Sequence, residues 1–119
     1  MQQETLIVVA HPDDETLGCA HELLRRPDQC RILHTTDGGP FEERFWGQAG
    51  AASREEYAVR RRAELLAAMR VFGVEERQLE MLPVPDREAA RQLPLLIAGV
   101  SARLRAFQPA VVYTHPFEG

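Results

Sequence analysis

The apolar positions of the chain form four short runs, and stretches with helical spacing lie between them. The first run, TLIVVA at residues 5 to 10, is apolar on both faces and rich in β-branched side chains. That suits a buried strand of a parallel sheet rather than the alternation of a half-solvated one. From 15 to 25, Leu17, Ala20, His21 and Leu24 recur at helical spacing with Pro27 beyond the end, which predicts a helix with these residues on its apolar face. QCRILHTT reads as a second strand that stops at DGGP, a strong turn signal. Between Pro40 and Ser53, glycine and proline punctuate a segment that still carries Phe41, Phe45 and Trp46, more aromatic surface than a linker needs. A loop that covers a pocket is one reading of it, and plain packing of these aromatics is the other. Ser53 with Glu56 three residues later forms a capping-box pattern, and Gly73 supplies the stop of a long helix. QLEMLPV gives a third strand and PDREAA a turn; Pro94 opens a last helix to Phe107, and AVVYTH is the fourth strand.

The order βαβαβαβ with short connections predicts an α/β fold, an open parallel sheet with helices on both faces. Right-handed crossovers and a Rossmann-like strand order of 3-2-1-4 place the first and fourth strands side by side. Ligands in such sheets bind beyond the carboxyl ends of the strands where the order reverses. HPDDE, residues 11 to 15, follows the first strand at that point, and His115 leaves the fourth.

Length and charge narrow the function. The 119 residues suffice for one domain and not for two, so residues 1–119 are expected to share one core. A net charge of -4, spread rather than blocked, argues against nucleic-acid binding and shows no anionic-membrane patch. The apolar run Leu6 to Ala10 is far short of a signal-peptide core or a membrane span, so a cytoplasmic protein with a small-molecule partner is expected. Cys19 and Cys30 have no metal or disulfide spacing and are expected as reduced thiols.

A nucleotide site after the first strand would need a glycine-rich turn whose backbone can approach a pyrophosphate. HPDDETLG offers carboxylates instead, which repel phosphate, so dinucleotide binding is rejected. A plain helix start explains Pro12, one capping aspartate and Glu15 at the positive end of the helix dipole. It does not explain His11 together with a second aspartate. A divalent cation relieves that crowding, since imidazole nitrogen and carboxylate oxygen are both good zinc ligands. His11 and Asp14, three apart across a proline turn, can converge on one ion. Asp13 then stays unligated, placed to accept a proton from a water as the base.

These residues carry a family resemblance. VVAHPDDETLGCA resembles the first motif of the LmbE-like, or PIG-L, zinc-dependent deacetylases, which remove the acetyl group from N-acetylglucosamine-containing substrates and related amides. HTTDGGP, VRRRAELLAAMRVFGV and FQPAVVYTHPFEG match in the family's order, so the resemblance spans nearly the whole chain. It implies that His11 and Asp14 are metal ligands for Zn2+ or another divalent ion, Asp13 the general base, and Arg61 a substrate contact. Ala20 and His21 stand where many members have a glycine pair. Members also continue past the THPFEG match into an H-P-D-H-like segment, whose last histidine is the third ligand and whose first stabilises the intermediate. A chain truncated at its carboxyl side is therefore expected. His115 is read as a pocket residue that contacts substrate, and only as a fallback ligand.

The remaining candidates have plainer readings. His21 and His34 are expected as packed histidines, Asp37 and Asp86 as turn formers, and Arg60 and Arg62 as a solvated face. The fourth strand's apolar AVVY forms an edge left without cover if the chain ends at Gly119, so a homo-oligomer or a missing partner segment is expected. Two functions stand: a metal-dependent N-deacetylase acting on an N-acetylated small molecule, and a non-catalytic binding domain of the same fold with an incomplete metal site.

Overall fold

In the computed structural model, residues 4–116 are described. Four strands, β1 (Thr5–Val9), β2 (Cys30–His34), β3 (Leu79–Met81) and β4 (Val111–Thr114), form one sheet in the order β3-β2-β1-β4. Every neighbouring pair is parallel, with Ile7 beside Ile32 on one flank and Tyr113 on the other. Four helices connect and cover it: α1 (Asp14–Arg25), α2 (Glu43–Gln48), α3 (Arg54–Phe72) and α4 (Leu93–Phe107).

The strand period of two sorts the core into halves. Ile7, Val9, Cys30 and Ile32 face Leu23 of α1 and Leu65 and Met69 of α3, while Leu6, Val8 and Leu33 face Leu82, Val84 and, from α4, Leu96, Val100 and Phe107. Helices thus cover both faces, as the element order requires. Cys19 and Cys30 are free thiols; burial, and then the Glu22 carboxylate, push Cys30 up to about 11. Among the described residues no helix is long and apolar enough to cross a membrane.

The long helix starts and stops as its sequence demands. Glu56 N–H donates to Ser53 Oγ at 3.1 Å, and Gly73 ends the helix in the left-handed conformation at φ 85°. Three local expectations need correction. The segment after Pro40 is not all loop, because residues 43–48 form α2. The third strand is only three residues long. The inward face of α1 also differs: Leu17 and Leu24 are 82% and 66% exposed and His21 is exposed, while Glu15 and Leu23 are buried. A partner on β2 draws Glu15 inward, and non-helical backbone at Cys19 (φ -128°, ψ 19°) kinks the helix.

Candidate metal and catalytic site

The site grows from the turn that links β1 to α1. Thr36 donates its N–H and its hydroxyl to Ala10 O, at 3.1 and 2.8 Å, which ties this turn to the end of β2. His11 N–H donates to Asp14 Oδ2 at 2.9 Å, folding the aspartate back across Pro12. This leaves His11 Nδ1 3.4 Å from the same carboxylate oxygen. Asp37 N–H donates to Val84 O at 2.9 Å, which brings the segment after β3 alongside, and Asp86 Oδ1 lies 2.6 Å from His11 Nε2.

That last contact sets the imidazole. Asp86 accepts a hydrogen bond from Nε2–H, a tautomer assigned from that contact, and Nδ1 then turns its lone pair toward Asp14. Two donor atoms with no proton between them repel each other, and a cation relieves this. Their separation also suits zinc, since tetrahedral bonds of about 2.0–2.1 Å put two ligands roughly 3.3 Å apart. A carboxylate on the far ring nitrogen is the usual support of a metal-bound histidine. The pair therefore fits zinc as two ligands. Among the described residues, no group of three His, Cys, Asp or Glu side chains could hold an ion by itself.

Asp13 behaves differently from its neighbour. It precedes the first residue of α1, yet its side chain makes no capping bond. Its carboxylate Oδ2 instead meets Arg61 Nη2 at 3.3 Å, while the same nitrogen donates to Pro12 O at 2.6 Å. Its backbone sits at φ 148°, ψ -23°, where a side chain is strained by about 1–3 kcal/mol. Surrounding bonds hold it there: Thr16 and Leu17 N–H both donate to Asp13 O at 3.0 Å, and Asp13 N–H donates to Glu15 Oε2 at 3.1 Å. Plain capping therefore accounts for neither aspartate.

His11, Asp13 and Arg61, from the sequence reading, share a polar cleft of about 150 Å³ with Gly38, Tyr57 and Asp86. Gly38, at φ 77°, sits in the left-handed region that favours glycine, and an added Cβ would press on Pro12 at 3.0 Å. His115 lies elsewhere. It lines a second cleft, of about 350 Å³, with Asp14, Leu17, Cys19 and Tyr113, its Nε2 3.3 Å from Asp14 Oδ2; Asp14 itself lies between the two clefts, bonded to His11 but not lining the polar one. Its Nε2 already accepts the Ala10 N–H at 3.1 Å. None of Phe41, Phe45 and Trp46 lines the polar cleft.

Three features escaped the sequence reading. Asp86 was read as a turn former, although its position past the third strand put it at the same sheet edge. Tyr57 was not singled out. His34 was read as packed, and it is, but against the buried Glu15 carboxylate at 2.9 Å. Asp37 closes its turn by accepting Gly39 N–H at 2.9 Å and binds Arg54 through both oxygens, at 2.9 and 2.8 Å.

The family profile of PIG-L, GlcNAc-PI de-N-acetylase, matches residues 6–119, which include this whole site. The chain belongs to the PIG-L family. Solved structures share the PIG-L fold. The A40926 pseudoaglycone deacetylase aligns with 94% of this chain at 20% identity and TM-score 0.71. The N,N'-diacetylchitobiose deacetylase of Pyrococcus horikoshii aligns with 92% of it at 26% identity and TM-score 0.70. A deacetylase of the teicoplanin biosynthetic pathway, solved as a triple mutant, aligns with 93% at 19% identity and TM-score 0.72. This chain spans 50%, 39% and 50% of those three chains. No curated protein matches closely enough to count as a relative.

Proposed function

We propose that the protein is a metal-dependent N-deacetylase that releases acetate from an N-acetylglucosamine-type or related small amide. The observation that carries this is the arrangement of HPDDE. Within one PIG-L turn, His11 and Asp14 converge to 3.4 Å while Asp13 points to Arg61 instead. His11 Nδ1 and Asp14 Oδ2 are the atoms that would hold the ion. When bound, Zn2+ or another divalent ion supplies Lewis acidity, polarising an amide carbonyl and lowering the pKa of a water toward about 7.

The chain's own residues do the rest. Asp13, unligated and open to the cleft, accepts the proton of the attacking water. It then returns that proton to the departing amine as the C–N bond breaks, so the products are acetate and a free amine. Arg61 lies beside the base and is fixed by Pro12 O, so its guanidinium orients the base and a polar substrate head. His115 contributes from the neighbouring cleft as a substrate contact. The free thiols suit a cytoplasmic setting.

Acetate release from a panel of N-acetylglucosamine conjugates by the zinc-loaded full-length protein is the test. Equimolar acetate and free amine from at least one conjugate supports the reading, and a panel without release refutes it. Asp86 gives a finer prediction. Asp86→Ala lowers zinc affinity about 10–100-fold, as loss of a carboxylate behind a ligating histidine does. Competition against a chromophoric chelator measures this, and unchanged affinity would show that Asp86 does not support a metal-bound His11.

A further inference from the structure

Beneath the cleft lies a pair of titratable side chains that the proposed chemistry does not use. Glu15, in the first turn of α1, is 1% exposed, and His34, the last residue of β2, is 0% exposed. His34 Nε2 is 2.9 Å from Glu15 Oε2. Glu15 Oε1 and His34 Nδ1 have no hydrogen-bond partner among the described residues. Such a pair is a poor device for stability. Desolvating a carboxylate is costly, half of this one's capacity is unused, and apolar side chains of similar volume commonly serve a core at least as well.

The pair has a second contact. Glu15 Oε2 also accepts the backbone N–H of Asp13 at 3.1 Å. We propose that Glu15 and His34 are positioning residues, a buried clamp that holds Asp13 in its strained conformation and keeps its carboxyl aimed at the cleft. His34 fixes the Glu15 carboxylate by donating Nε2–H. Glu15 then fixes the peptide before Asp13, while Thr16 and Leu17 N–H fix the peptide after it. With both peptides held, the φ of 148° persists and the carboxyl group lies beside Arg61. Without the acceptor at Glu15, the residue relaxes toward ordinary backbone and carries its side chain out of register. The pair touches neither His11 nor Asp14 in any hydrogen bond of the site, so the clamp acts on the base and not on metal affinity.

The kinetic part of this inference rests on the deacetylase reading; the structural part does not, and the test separates them. The double variant E15L/H34L replaces both partners with apolar groups and leaves no buried charge, so it is expected to melt cooperatively. Its kcat is expected to fall about 10–100-fold, the scale of a displacement near 1 Å in a catalytic group. KM should stay within about 3-fold and zinc stoichiometry should be unchanged. E15Q keeps a carbonyl oxygen for the Asp13 amide and is expected to recover most of the lost rate. A folded E15L/H34L with wild-type kcat overturns the proposal, as does a loss of rate matched by loss of zinc.

The second measurement needs no substrate and no variant. In the wild-type chain, Asp13 has an exposed side chain, yet its amide proton should exchange as slowly as those of β1. A through-hydrogen-bond coupling from that amide to the Glu15 carboxylate carbon should also be seen by NMR. Rapid, loop-like exchange without the coupling refutes the clamp. If protection is found but no conjugate releases acetate, the deacetylase reading fails and the clamp stands.

Discussion

Asp13→Asn is expected to lower kcat for acetate release about 10³-fold, within the 10²–10⁴ range typical of a general base. The substitution is nearly isosteric. Asn Oδ1 can still accept from Arg61, and the backbone bonds to Glu15, Thr16 and Leu17 do not involve the side chain. Only proton acceptance is lost. Zinc content should therefore match the wild type, because Asp13 is not one of the converging pair. Steady-state acetate release at saturating zinc measures the effect. A rate within 10-fold of the wild type would remove Asp13 from the role of base.

The largest effect on the metal is expected from the other two residues of the turn. A structural zinc site gains about 10–16 kcal/mol over all its ligands, so one ligand is worth roughly a quarter of that, about 10²- to 10³-fold in affinity. His11→Ala and Asp14→Ala should each weaken zinc by that amount and bring acetate release to background. They differ in what they leave behind. Removing His11 frees Asp86 and strands Asp14 without a cation, whereas removing Asp14 also takes the acceptor of the His11 N–H and loosens the turn. Asp14→Ala is therefore expected to lower Tm more than His11→Ala. Zinc titration and thermal melts of the two variants check both statements, and unchanged zinc affinity in either would show that the pair does not bind the ion.

Much of the fold could be read from local pattern. The doubly apolar run at β1 marked an interior strand, QCRILHTT read as a second strand, and the long helix carries its own start at Ser53 and stop at Gly73. The strand order followed from chirality and short connections, and with it the meeting of HPDDE and the fourth strand at one sheet edge. What escaped depends on long-range pairs. A helical wheel treats glutamate as outward, so α1 was expected to bury Leu17 and Leu24; one histidine on β2 is enough to turn Glu15 inward. Asp86 has no local mark beyond its place after the third strand, and only the Asp37 to Val84 bond shows that it reaches His11. Cover for a pocket was one reading of the aromatics after Pro40. Phe45 and Trp46 lie instead on a short helix just past Phe41, with Trp46 Nε1–H donating to Phe41 O at 3.3 Å and the Phe45 ring under the Arg44 and Arg87 guanidiniums.

The central claim is that the turn after β1 serves as two metal ligands beside a free base. Its most direct test is to titrate zinc into the metal-free full-length protein while following acetate release from a responsive N-acetylglucosamine conjugate. The expected result is release that rises from background, saturates at a single ion per chain, and stops when a chelator removes it. Release at full rate from the rigorously metal-free full-length protein would contradict the account.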